Sequence, residues 1–293
     1  MDHPAAGDAS APVIRAWKPA IPGIREVLHA RFAHAYPRHT HDVWTLFVVD
    51  AGAIRYDLDG QGHGAVPSMI SVLPPHVVHD GRPATDDGYQ KRVLYLEADV
   101  LGEDLIGAAV DRPVLPDAGL RPRFEALDRA LSSPDDRFEA EVRLDDLAAR
   151  IRGALGGRDT GSEAEAGVDR RLDRELADAL RAYLDSRLFD ATTIAEAAAA
   201  LGVPAARLAR AFSETFAIPP HAYLEGRRLE AARSRILGGQ ALADVAAELG
   251  YADQAHLTRR FRRFLGTTPG RFQRSSGEPQ PIVFGSIGET SWK

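Results

Sequence analysis

The spacing of apolar residues changes once along this chain, and the change divides it in two. From Ala30 to about Glu97 they come in short runs, "TLFVVDAGAIRYDLDG", "SMISVLPP" and "KRVLYLE", rich in β-branched, aromatic and leucine residues. Turn-forming groups, "DAG", "DGQGHG" and "PPH", separate the runs. Several short strands at this spacing predict a small barrel or sandwich. Beyond them, "LRPRFEALDRAL" and "FEAEVRLDDLAARIRGAL" space their apolar residues as helices do, with Val142, Leu144, Leu147 and Ile151 the clearest set. The second of these helices has enough apolar surface to pack on the strands or on a second subunit. The segment "GGRDTGSEAEAG", 156–167, has no apolar period and reads as a linker. From there to about Arg274 the pattern is helical throughout.

These patterns predict an arm over 1–18, a β-rich unit over 19–100 and a helical spacer or dimerisation segment over 101–155. A linker over 156–168, an all-helical unit over 169–275 and a tail over 276–293 follow. The tail has no clear period and receives no role.

The helical unit contains an internal repeat. "TIAEAAAALGVPAARLARAF", 193–212, recurs as "ALADVAAELGYADQAHLTRRF", 241–261. Ile194, Ala198, Leu201 and Gly202 correspond to Leu242, Ala246, Leu249 and Gly250, and Leu208, Arg210 and Phe212 to Leu257, Arg259 and Phe261. In each copy a short helix ends at a glycine able to take the positive φ of a helix C-cap. A second helix follows within a few residues. Its Leu and Phe, four apart, pack back on the first helix while arginine and polar side chains point outward. That is a helix-turn-helix whose outer face suits a DNA major groove. Between the copies, "PPHAYLEGRRLEAARSRILGG" predicts a connecting helix with Leu229, Ala232 and Ile236 as its apolar stripe.

Charge strengthens that reading. The 293 residues carry a net charge of −6, yet Val203 to Ser275 holds twelve arginines against six acidic residues. The rest of the chain therefore sums to −12, and an acidic front with a basic back implies different partners for each. Composition, at 44% hydrophobic and 27% charged, is that of a soluble globular protein. The absence of cysteine excludes disulfides, Cys-ligated metals and thiol catalysis and fits the reducing cytoplasm. "MDHPAAGDAS" shows no signal peptide, and no apolar run approaches the ~18 residues of a membrane span.

"GYADQAHLTRRFRRFLGTTPGRFQR", with the unit and connector before it, resembles the signature of the AraC/XylS family of transcription regulators over roughly 170–274. The resemblance implies a seven-helix, two-unit domain reading double-stranded promoter or operator DNA. It places Ala206, Arg207, Ala209 and Arg210 on the first reading helix and Gln254, Ala255, His256, Thr258 and Arg259 on the second. Alanines at 206 and 209 leave Arg210 as the first helix's best base reader, so the second unit is expected to discriminate at least as strongly. Arg260, Arg262 and Arg263 suit phosphate or structural roles.

The front half, from His34 to Glu97, resembles the cupin-type sensor domain that often precedes this DNA-binding unit. "HTHDVWTLFVVDAG" and "VLPPHVVHDG" carry the likeness. His39 and His41 flank Thr40, so on a strand both imidazoles leave one face. In metal-binding cupins a glutamate follows the paired histidines, about seven residues before a glycine. Gly52 puts Thr45 there, and His79 stands where the last ligating histidine would be. The missing carboxylate argues against catalysis, although three-histidine metal sites exist.

The same face continues through Val43, Thr45 and Phe47, and this mix of apolar wall and polar points suits a small-molecule pocket. We expect His39, His41, Phe47, His79 and Tyr95 to line it, with Arg55, Arg82 or Arg92 favouring an anion if one points inward. The expected fold class is α+β multidomain: an N-terminal cupin-like β-barrel followed by helices, then a C-terminal all-α domain with two helix-turn-helix units. The expected function is that of a cytoplasmic, non-enzymatic regulator, modulated by a small molecule in the barrel and open to homodimerisation. No metal, cofactor or membrane partner is expected. A metal-dependent cupin enzyme fused to the DNA-binding domain, a ligand-independent regulator and a protein-interaction module remain as alternatives.

Overall fold

The computed structural model describes residues 13–132, 137–156, 168–190 and 192–275. Residues 1–12 of the expected arm, 157–167 of the expected linker and the tail over 276–293 fall outside them. The N-terminal half is built from β1 (Val13–Trp17), β2 (Ile24–Phe32), β3 (Tyr36–His39), β4 (Trp44–Gly52) and β5 (Ile54–Leu58). β6 (Gln61–Ala65), β7 (Ile70–Leu73), β8 (His79–Pro83) and β9 (Tyr89–Leu96) complete its main strands. A six-stranded sheet in the order β1-β2-β9-β4-β7-β10 faces a four-stranded sheet in the order β3-β8-β5-β6, with β10 at Val114–Leu115. All pairings are antiparallel. The architecture is cupin-like, but the two sheets oppose one another without closing into a ring.

The central strands are buried on both faces, which explains why they read as continuous apolar runs. On β4 and β9, Phe47, Val49, Val93 and Tyr95 face the small sheet's Ile54, Tyr56 and Leu58. Trp44, Leu46, Val48, Leu94 and Leu96 point the other way, under a layer of helices. That layer holds α1 (Ala98–Leu101), α2 (Ile106–Asp111), α3 (Leu120–Leu131) and α4 (Arg137–Gly156). Leu144, Leu147 and Ile151 of α4 pack into it, so this helix roofs the large sheet rather than standing as a separate spacer. Val142, grouped with them by spacing, instead lies 49% exposed, one turn from Phe138 at 79%. Val13–Trp17, placed in the arm by the sequence, is an edge strand paired with β2.

The C-terminal half contributes α5 (Val168–Ser186), α6 (Ile194–Leu201), α7 (Ala205–Phe216), α8 (Pro220–Leu237), α9 (Leu242–Glu248), α10 (Gln254–Leu265) and α11 (Pro269–Ser275). The repeat resolves as α6/α7 and α9/α10. Thr193 and Glu196 close a capping box at the start of α6, and Asp253 caps α10. Gly202 ends α6 in the left-handed region, with φ of 66°. Leu208, Phe212, Leu257 and Phe261 are fully buried, as the repeat requires. The two units differ in what they pack on. The first closes its core with α5 and the start of α8, meeting the β-rich half at Val78, just before β8. The second joins Leu249, Leu257, Phe261, Leu265 and Phe272 to the apolar cluster between the two sheets. No helix among the described residues is long and apolar enough to cross a membrane.

Candidate binding pocket and nucleic-acid interface

The inner faces of the two sheets enclose a cavity of about 50 Å³. His39, His41, Phe47, His79 and Tyr95, chosen from the sequence, all line it, together with Thr45. Strand pairing explains the convergence, because His39 and His79 sit directly opposite one another on β3 and β8. His41 follows two residues after His39. The ring centroids lie 4.4 Å apart for His39–His79, 4.9 Å for His39–His41 and 5.2 Å for His41–His79.

Each imidazole has one nitrogen committed. His39 Nδ1 donates to the Pro37 carbonyl at 2.8 Å and His79 Nδ1 to the Val77 carbonyl at 3.0 Å. His41 Nδ1 meets the Glu230 carboxylate at 3.2 Å. Carbonyl oxygens only accept, so both His39 and His79 carry their proton on Nδ1 and keep a lone pair on Nε2. Burial disfavours the imidazolium at all three. It holds His39 and His41 well below the usual histidine range, with neighbouring imidazoles adding at His39 and Arg233 adding at His41. Burial, and then His41, push His79 down to about 3.

The cation that the strands contribute to the cavity is Lys91, not Arg55, Arg82 or Arg92. Lys91 shares the inward face of β9 with Val93 and Tyr95, and its ammonium lies 4.8 Å from the Tyr36 ring centroid and 5.5 Å from that of Phe47. Burial, with Arg233 adding, brings it down to about 7. Arg55 and Arg82 are exposed. Arg92, also considered as an inward group, lies on the opposite face, bound to Asp50 at 2.7 and 2.8 Å and to Asp128 at 2.9 Å. The period-2 alternation of "YQKRVLYL" contained this distinction, since Lys91 and Arg92 must point to opposite faces.

Sequence reasoning had no signal for the cavity's other wall, which comes from the helical half. Arg233 of α8 and Phe264 and Leu265 of α10 line it. Arg233 pairs with buried Glu26 and donates to the Tyr95 hydroxyl at 3.3 Å. Arg227 ties Asp42 and Asp185, each at 3.1 Å, and also bonds Glu230. Burial, with Asp42 adding and Arg227 opposing, raises Glu230 to about 7. Phe264 sets its ring edge-on to His39 at 4.9 Å. The helix joining the two repeat units is therefore also the lid of the pocket.

On the outer faces of α7 and α10, Arg207, Arg210, Gln254, Arg259 and Arg263 are exposed. Among the described residues, Arg207 and Arg210 make only long ion-pair contacts, to Asp173 at 3.8 Å and Glu214 at 3.9 Å. Arg263 borders a groove between the halves with Arg38, Arg228 and Arg260. His256 and Thr258 are half-buried and already engaged. The His256 ring packs edge-on against Tyr251 and its Nε2 accepts from Arg260 at 3.3 Å, while Thr258 donates to the Gln254 carbonyl at 2.8 Å.

With this geometry in place, the comparisons are consistent across the chain. Residues 23–148 match the model of an AraC-like ligand binding domain, and 197–275 that of a helix-turn-helix domain. An uncharacterised HTH-type transcriptional regulator of Escherichia coli K12, YijO, is 27% identical over 153 residues, covering 52% of this chain and 51% of the relative. The chain thus spans about half the length of curated relatives it matches. Among solved structures, an unliganded ToxT variant from Vibrio cholerae superposes with a TM-score of 0.56 at 9% identity, covering 91% of this chain and 98% of that one. Wild-type ToxT bound to unsaturated fatty acid gives 0.52 at 10%, covering 91% and 96%. At these identities the likeness is one of fold.

Proposed function

We propose that this chain, which belongs to the AraC family of transcription regulators, binds promoter DNA through α7 and α10 and sets their presentation by what occupies the cavity. The observation that carries the reading is α8, which joins the two reading units and inserts Arg233 into the cavity wall. Small-molecule pockets run to roughly 300–1,000 Å³, far above the present cavity. An organic effector therefore enters by displacing Phe264 and Leu265, which loosens the second unit from the sheets. The ligand shifts the balance between docked and released arrangements by its differential affinity for them. The fatty acid bound by ToxT supports an apolar occupant with an anionic end, to which Lys91 would give a counter-ion. We assign the pocket binding rather than turnover, and place the protein in the cytoplasm as a homodimer formed through Phe138 and Val142 of α4.

Arginine-to-alanine variants test the reading head on a mapped upstream site and on random DNA. Arg259→Ala is expected to lose about 1–3 kcal/mol on the specific site alone, as a base contact does. Equal losses on both DNAs would leave Arg259 a phosphate contact. Failure of the wild-type chain to bind any DNA at low salt would sink the reading, because a basic head binds non-specifically there.

A further inference from the structure

We infer that His39, His41 and His79 form a binding site for one divalent transition-metal ion, buried where the sheets meet the helical half. One ring nitrogen from each residue lies within 4.8 Å of the others. Zinc–imidazole bonds of about 2.0–2.1 Å place ring centroids ~4.5 Å apart for ligands at right angles and ~5.2 Å apart for tetrahedral ones. The observed 4.4, 4.9 and 5.2 Å span that interval. The rings are spaced as three ligands of one ion are, and binding draws nitrogens that lie up to 4.8 Å apart in to the ~3.3 Å that such bonds require.

Outer-sphere contacts agree. Metal-ligating histidines hand their second nitrogen to a backbone carbonyl or a carboxylate, fixing tautomer and orientation. Here two carbonyls and one carboxylate play those parts. No hydrogen bond among the described residues ends on the remaining Nε2 atoms. Thr45 Oγ1, in the same cavity, is buried with no hydrogen-bond partner. The 50 Å³ that is too small for an organic ligand holds an ion and a few waters, at ~15 Å³ of such space per water. The chemistry selects borderline metals such as zinc, nickel or cobalt, since three imidazoles suit them and leave a coordination position open.

Two features set this site apart from a histidine-and-glutamate set confined to one barrel. Thr45 replaces the strand carboxylate, and the carboxylate present, Glu230, comes from α8 and acts through His41. The opposing influence is the Lys91 ammonium, which faces the same space. A cation on the histidines would hold His41 against Glu230 and so favour the docked arrangement, whereas an organic effector favours release. Only this consequence rests on the function proposed above.

The test uses the full chain, without a histidine tag and stripped by chelator, titrated with Co²⁺ and Zn²⁺. One equivalent of Co²⁺ with visible ligand-field bands is expected, displaced by Zn²⁺, and a rise in Tm on loading. His79→Gln should abolish the bands, Glu230→Gln should weaken affinity 10–100-fold, and His221→Gln, on the surface, should change neither. Stoichiometry and bands indifferent to His79→Gln and Glu230→Gln would overturn the site, as would an absence of stoichiometric binding by the wild type. DNA binding of the stripped protein, measured alongside, separates failure of the metal site from failure of the regulator reading.

Discussion

At the scale of single residues, burial on two faces decides which charges do what. Arg92 and Lys91 are neighbours on β9, yet one is wired into an outer carboxylate network and the other lies alone among aromatic rings. Asp128 of α3 anchors the outer network, meeting His29 Nε2 at 2.7 Å and Arg92 at 2.9 Å. Burial alone would raise its pKa, but the His29 and Arg92 contacts outweigh it and hold the carboxyl below the usual range. A depressed carboxyl stabilises the fold above its unfolded pKa of about 4 and loses that contribution as pH falls through the lower folded value. Asp128→Asn is therefore expected to cost about 3 kcal/mol at pH 7, as removal of one partner of a buried pair does. The gap from wild type should narrow below about pH 4, as the unfolded carboxyl takes up its proton, and close as pH falls through the lower folded value. Urea titrations at pH 7 and pH 3 measure both. An unchanged gap across that range would show that packing, not charge, holds α3 to the sheet.

At the scale of elements, legibility followed how self-contained each element is. The two helix-turn-helix units were readable because each copy carries its own packing pair and its own glycine turn. The three histidines were readable as a set because a strand's period of two fixes the face of each. The pairing of sheets, the roof made by α4 and the edge strand Val13–Trp17 depend on what lies opposite, which one sequence window does not contain. Val142 illustrates the limit, since its spacing suits burial and only its neighbours leave it in solvent. The caps give an element-scale prediction. In the first unit Thr193 accepts from the Glu196 amide at 3.2 Å while the Glu196 side chain accepts from the Thr193 amide at 2.9 Å. α9, its counterpart in the second unit, has Ala241 at its N-cap and no side-chain cap. Thr193→Ala is expected to destabilise by about 1 kcal/mol. Because the first unit closes its own core, the loss should appear as faster amide exchange in α6 with α9 unaffected. Equal changes in both helices would mean that the two units unfold together.

At the scale of the whole molecule, the unequal attachment of the two units is the feature on which regulation can act. In the proposed reading, α8 is the continuous helix that spaces the two units, and α7 and α10 would reach successive major grooves, about 34 Å apart, when the head sits as a unit on DNA. In the docked arrangement α10 is held from behind by Phe264 and Leu265, and the body beneath it belongs to the part of the chain that carries −12. That negative charge opposes the approach of phosphates within a Debye length of about 8–10 Å. Phe264 is the contact to remove, because it rests on His39 and is only partly buried, at the edge of the cluster in which Leu257 and Phe261 hold α10 in its unit. Phe264→Ser should leave the fold intact and shift the balance toward release. Non-specific DNA affinity of the full chain is then expected to rise at 50 mM salt and to converge on wild type by 200 mM, as the repulsion is screened. Fluorescence anisotropy with a random duplex reads both conditions. A fall in affinity at low salt would mean that the docked arrangement is the one that binds DNA, and would reverse the direction in which cavity occupancy regulates it.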